Sequence, residues 1–217
     1  AKRYLAREER KIDLADLIRE ETEQLRGRLI DPERFDLHVE TDNESVEGRL
    51  EKYEKEVETL AAVFSTCAYW GTKVPNSGEQ QMAKSLQRIG SAQPDVSPRY
   101  RIWERLARYP ATLLMYSLGV TAVEAENWDL LYDILIETDA NPNSPNPKML
   151  IMYAHPFFVG AELNSRESTQ FLYNRMEETL RGPMRELIPD DQGYKQTFEE
   201  LEMLSDMVIV DLFQEVH

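Results

Sequence analysis

Residues 101–137 constrain the fold more than any other part of the chain, because they read as two packed helices joined by a tight turn. From Ala111 to Ala122 apolar residues recur at steps of three and four, the spacing of one buried helix face. Small residues, Gly119 among them, fall where antiparallel helices would approach closely. After a break, the same spacing returns at Trp128, Leu131, Tyr132 and Leu135. This αα-hairpin predicts an all-α fold, an irregular helical bundle of αα-hairpins.

A second long helix has the most regular pattern in the chain. Its apolar residues alternate by four and three over three heptads, at Val46, Leu50, Tyr53, Val57, Leu60, Phe64 and Cys67. Such a pattern requires a partner along the helix. An earlier amphipathic helix, residues 12–30, is the intramolecular candidate and would form a protruding hairpin whose outer half is exposed. A homodimer is the alternative, with Val46, Leu50, Tyr53 and Val57 at the interface.

No shift in composition marks a domain boundary, so residues 1–217 are predicted to form a single domain. Within it, residues 1–60 would be the extended helical hairpin and residues 61–217 the globular helical body. The last helix, residues 194–216, ends in a stretch that is apolar on all sides. That helix is therefore expected to be central or to meet a partner, with Met207 and Val210 as contact residues.

Charge and cysteine content narrow the classes of partner. The net charge of −15 disfavours direct nucleic acid binding, which requires clustered Lys and Arg. A single cysteine, Cys67, rules out an internal disulfide framework and fits the reducing cytoplasm. No run is long and apolar enough to span a membrane. The sequence nevertheless starts without Met and with a group of basic residues, Lys2, Arg3, Arg7, Arg10 and Lys11. Two interpretations of this group remain: the solvated start of a helix, or the cytosolic flank of a membrane segment in a longer protein.

The search for reaction chemistry yields no catalytic residue, metal or cofactor. His155 lies in an apolar run and is interpreted as a buried, hydrogen-bonded side chain. Asp139, Asn141 and Asn143 resemble the start of a calcium loop, but prolines interrupt it and the sixth and twelfth positions are Ser144 and Leu150. Phosphate-binding loops, nucleophile elbows and zinc-binding helix motifs are absent from the sequence.

One local cluster of positive charge remains, in residues 99–116. There, aromatic and basic residues interleave in a way that can stack a nucleotide or hold an anion, with candidate ligand-binding residues Arg101, Trp103, Arg105, Arg108 and Tyr109. The competing interpretation is a helix with Trp103 in the core and the arginines in water.

The segment from Val57 to Gly71, followed by residues 106–116 and their hairpin, resembles uncharacterised α-helical regions of large bacterial multidomain proteins. Some of those proteins carry membrane-spanning segments or effector domains elsewhere. The resemblance rests on packing residues, so it implies architecture, and a piece of a longer protein, without any catalytic assignment.

Two functions are therefore expected. The first is a non-catalytic cytosolic interaction, scaffold or regulatory domain that binds a protein partner or a second copy, located in the cytoplasm or at the cytosolic face of a membrane. The second is a helical ligand- or nucleotide-binding sensor that uses the aromatic and arginine cluster.

Overall fold

The protein is described by a computed structural model that covers residues 11–35, 43–71, 79–92, 101–140, 149–161, 163 and 167–215. All-α architecture is confirmed: within those residues there are helices and one isolated bridge, between Asp139 and Met149. The helices are α1 (Lys11–Leu29), α2 (Asn43–Gly71), α3 (Glu79–Gly90), α4 (Arg101–Leu106), α5 (Tyr109–Glu124), α6 (Trp128–Tyr132, continued by a π-helical turn, Asp133–Glu137), α7 (Leu150–Ala154), α8 (Pro156–Val159), α9 (Glu167–Met184) and α10 (Asp191–Glu215).

Helix α5 lies at the centre of the bundle. Every side chain from Tyr109 to Val123 is buried, and α5 contacts α2, α3 and α6 to α10. The sequence explains this position, because residues 109–123 contain no charged side chain and Pro110 occupies the first turn, where its missing N–H costs nothing. Its serine and threonine hydroxyl groups bond locally; Thr121, for example, donates to the carbonyl oxygen of Ser117 at 2.7 Å.

The heptad face of α2 is buried as predicted, but its main partner is α5. The predicted exposure of the outer half of α2 is wrong, since Leu50 and Tyr53 are buried there. Helix α1 does contact α2, yet this hairpin does not stand apart: α1 also packs on α3, where Thr22 donates to Ser85 at 2.8 Å. Side chains of both helices belong to one continuous core.

Three local predictions need correction. Trp128 and Tyr132 are exposed, because α6 turns its aliphatic residues inward and leaves the aromatic pair in water. The spacing of Phe171, Leu172, Met176 and Leu180 predicts a buried face on α9, but Phe171 is exposed. The Gly182-Pro183 pair predicts a break, but α9 continues through it and ends at Met184. The His155-Pro156 pair predicts an interruption of the apolar run, and this prediction is confirmed because the pair separates α7 from α8.

Within the described part of the chain, none of the helices has the length and apolar character needed to cross a lipid bilayer. The basic residues at positions 2–10 and most of the loop considered for calcium, residues 141–148, lie outside the described residues.

Candidate functional site

Four of the five residues predicted to bind a ligand have partners inside the protein. Trp103 is buried, with the guanidinium of Arg49 placed 4.7 Å from its ring centre. Tyr109 is buried as well, and its hydroxyl donates to Glu54 Oε1 at 3.0 Å. Sequence reasoning missed Arg49 and Glu54, because both lie on α2, more than 50 positions away in the chain.

The arginines of this cluster point to separate partners. Arg105 donates to the carbonyl oxygen of Phe158 at 2.8 Å. Arg108 lies 4.2 Å from the ring centre of Tyr153 and donates to Glu104 at 3.2 Å. The side chain of Arg101 is outside the described residues. None of the other four candidates lines either of the two cavities described below.

The face of α2 predicted as an interface is covered within the chain. Leu50, Tyr53 and Val57 are buried, and Val46 is half-buried against the same core. Helix α5 and its neighbours cover this face.

An exposed apolar row runs along α10, the last helix. Met203, Met207, Val210 and Phe213 have exposed fractions of 56%, 57%, 53% and 45%. Met207 and Val210 were candidate contact residues from the sequence, whereas Met203 and Phe213 were not. Their spacing of four and three residues along the row was the signal that could have added them.

Carboxylates flank this row. One shallow depression on α10 is lined by Met203, Met207 and Val210 together with four acids, Glu199, Glu202, Asp206 and Asp211. Burial, followed by the charges of Asp206, Glu177 and Glu199, raises the pKa of Glu202 to about 7. The face therefore combines exposed apolar side chains with a strong negative potential.

A hydrogen-bonded network lies beneath this face and anchors α10 to the core. His155 is 1% exposed, and its Nε2 is 3.2 Å from Asp206 Oδ1, 3.2 Å from the Tyr173 hydroxyl and 3.4 Å from Ser205 Oγ. The backbone N–H of Phe157 donates to His155 Nδ1 at 3.3 Å, so in the neutral ring the proton is assigned to Nε2. His155 is thus buried and hydrogen-bonded, as the sequence indicated.

The same geometry argues against nucleophilic catalysis at this point. A Ser–His–Asp triad needs the serine and the carboxylate on opposite ring nitrogens. Ser205 and Asp206 both approach Nε2, while Nδ1 caps α8. The network therefore holds α10, α9 and the α7–α8 junction together.

Burial lowers the pKa of His155 to about 4, although Asp206 partly opposes the shift. Between the unfolded value, about 6.5, and this folded value, the unfolded chain binds a proton that the folded protein does not, so acid should destabilise the fold. We expect the wild type to lose about 2 kcal/mol more stability than His155→Asn when the pH falls from about 7.5 to about 4.5. Asparagine retains an oxygen that can cap α8 and does not titrate.

Urea unfolding of both proteins at the two pH values measures this difference. Other carboxylates titrate in both proteins, so the comparison isolates His155 together with its partner Asp206. Parallel pH profiles for wild type and His155→Asn would contradict the assignment.

A second cavity, of about 210 Å3, lies between α2 and α9. Val57, Ala61 and Leu113 contribute apolar walls, while Glu54 and Glu58 supply carboxylates. Glu54 is already neutralised by Arg175, whose Nε lies 2.5 Å from Glu54 Oε1. The cavity is thus a gap beside a structural ion pair.

The described residues contain neither a metal-binding group nor a reactive thiol. They contain no group of three or more His, Cys, Asp or Glu side chains placed to hold a metal ion. Cys67 is buried, and burial raises the pKa of its thiol to about 12, which keeps it protonated and unreactive at neutral pH.

Comparison of the chain with protein-family models, with curated proteins and with solved structures gives no match.

Proposed function

We propose that this chain is a helical protein-interaction domain that contacts its partner through the exposed face of α10. The observation that carries the proposal is the row of Met203, Met207, Val210 and Phe213, each at least 45% exposed. Scattered surface apolar residues are ordinary, but a contiguous row with a polar border is typical of a binding surface. Methionine suits such a surface because its flexible thioether adapts to different partners.

The support beneath the row is consistent with a rigid contact element. Helix α10 packs on α5 and α7, and the His155 network fixes it through Ser205 and Asp206. A face held in this way would lose little conformational entropy when a partner binds. The single buried cysteine favours the cytosol as its compartment.

The sensor alternative has less support. Trp103, Arg105, Arg108 and Tyr109 all have partners within the protein, so a ligand at this cluster would have to displace them. We therefore do not propose this second function.

The test is retrieval of partners from an extract of the cells that make the protein. Wild type, Met207→Glu and Ile30→Glu are immobilised, and retained proteins are quantified by mass spectrometry. Ile30 is a matched control, because it is 44% exposed and lies at the end of α1. We expect at least one protein to be retained by wild type and Ile30→Glu and to fall about tenfold with Met207→Glu, as for loss of a contact worth about 1.4 kcal/mol.

The same proteins retained equally by all three baits would contradict a role for the α10 face. Thermal melting of each variant must show an intact fold, which is expected because both substituted positions are exposed.

A further inference from the structure

We infer that the element received by the α10 face is a cationic amphipathic helix of a partner protein, with apolar side chains on the row and basic side chains over the flanking carboxylates. This inference rests on the proposed function and specifies its partner.

The shape of the face matches a helix. Met203, Met207, Val210 and Phe213 lie within a span of eleven residues, about 15 Å along the axis. A row of that length and spacing is complementary to anchors at positions i, i+3 or i+4 and i+7 of a docked helix. An extended strand would need a free sheet edge, and the described residues contain no sheet.

The negative charge of the face favours a positively charged partner. Residues 196–217 contain six acidic residues and neither Lys nor Arg, at Glu199, Glu200, Glu202, Asp206, Asp211 and Glu215. Four of these acids line the depression together with Met203, Met207 and Val210. A helix with lysines or arginines beside its apolar stripe would neutralise them as it covers the row.

The other two occupants of an apolar face are disfavoured by the same charges. A second copy would set the carboxylates of one α10 against those of the other, in a molecule whose net charge is −15. A bilayer surface carries anionic headgroups, which would repel the acids that flank Met207 and Val210.

Glu202 adds a proton-linked component to this recognition. Its neighbours are acidic or uncharged: Glu199 and Asp206 on α10, Glu177 and Tyr173 on α9, Tyr116 on α5, and His155, which contacts Asp206. With its pKa near 7, Glu202 carries a partial charge at neutral pH. A cation bound over it would favour the ionised form, so binding should strengthen as pH rises through about 7.

The test uses three 18-residue helical peptides that share leucines at heptad positions a and d and carry Lys, Gln or Glu at positions e and g. Binding to the full chain is followed by fluorescence anisotropy. We expect the Lys peptide to bind at least about tenfold tighter than the Gln peptide at about 50 mM salt and less than about threefold tighter at about 500 mM. The Glu peptide should bind more weakly than either.

Two Glu→Lys substitutions, which change the net charge by the same amount, locate the contact. Glu202 lines the depression, whereas Glu20 is exposed on α1. Glu202→Lys should weaken the Lys peptide about fivefold, Glu20→Lys less than about twofold, and Met207→Glu should weaken the Lys and Gln peptides. Equal effects of the two lysine variants would mean that only the overall charge matters and would overturn the assignment.

The remaining outcomes separate this inference from the function on which it rests. Equal binding of all three peptides, lost with Met207→Glu, keeps α10 as the contact face and overturns the cationic partner. Failure of the Lys peptide to bind also overturns it, while the extract experiment still decides the proposed function. Light scattering that gives a dimer abolished by Met207→Glu would identify a second copy as the occupant, and binding to vesicles of phosphatidylserine and phosphatidylcholine lost in that variant would identify a membrane.

Discussion

Replacement of Gly119 by valine is expected to lower the free energy of unfolding by about 3 kcal/mol. Helices α5 and α10 cross closely here, and a Cβ atom on Gly119 would lie 2.7 Å from Cδ2 and 2.8 Å from Cδ1 of Leu201. Leu201 is itself buried, so it has little room to rotate away. Valine adds two methyl groups to that overlap, and its β-branch has one favoured rotamer in a helix. Urea unfolding monitored by circular dichroism measures the loss.

The matched control is Gly27→Val in α1, where a Cβ atom would meet nothing within 4 Å. That variant should stay within about 0.5 kcal/mol of wild type. Combining Gly119→Val with Leu201→Ala should cost at least about 1 kcal/mol less than the sum of the single variants, because the shortened side chain makes room. If Gly119→Val proves as stable as Gly27→Val, the close crossing of α5 and α10 is wrong.

Arg175→Met is expected to destabilise the fold by about 2 to 3 kcal/mol. Arg175 of α9 binds both carboxylate oxygens of Glu54 on α2, at 2.5 Å and 2.9 Å, and Tyr109 of α5 donates to the same carboxylate at 3.0 Å. The two charged side chains are only 19% and 14% exposed. Without the guanidinium, Glu54 would keep one neutral donor while remaining shielded from water, which is more costly than losing the attraction alone.

Arg88→Met provides the comparison, because its ion pair with Glu23 is 41% and 47% exposed and should contribute less than about 1 kcal/mol. Adding Glu54→Met to Arg175→Met should recover part of the stability, since the uncompensated charge is then removed. If chemical denaturation gives equal losses in the free energy of unfolding for Arg175→Met and Arg88→Met, burial of the Arg175–Glu54 pair does not increase its contribution to stability.

The helical patterns in the sequence predicted which helix faces are buried. They were less reliable in predicting which helices pack against those faces. The heptads of α2 correctly marked Leu50, Tyr53 and Val57 as buried, yet α1 and a second copy were the partners considered, and α5 is the main one. Periodicity indicates that a side chain is buried, but it does not indicate which other element packs against it. The same limit applies to Gly119, whose small size serves the crossing with Leu201 of α10.

Residue spacing could not predict the orientation of a short helix or the pairing of residues that lie far apart in the chain. In α6, residues 128–135 offer two overlapping apolar sets, and the structure buries the set containing Leu130 and Ile134 while leaving Trp128 exposed. The pairing of Glu54 with Arg175 joins positions 121 residues apart, so no local pattern could reveal it. On α10, the apolar stretch at the helix end was too wide to be covered by one neighbour, and the structure leaves Met207 and Val210 exposed, while their contact with a partner stays a prediction.

The burial of α5 on all sides has a consequence for partly folded forms of the chain. The helices around α5 direct their apolar stripes toward a segment that has no hydrophilic face of its own. Detaching any one of them would expose part of an uncharged and largely apolar helix, so folding should be strongly cooperative and intermediates should be prone to associate. The net charge of −15 counteracts that tendency through mutual repulsion between chains, which gives the acidic composition a role in colloidal stability.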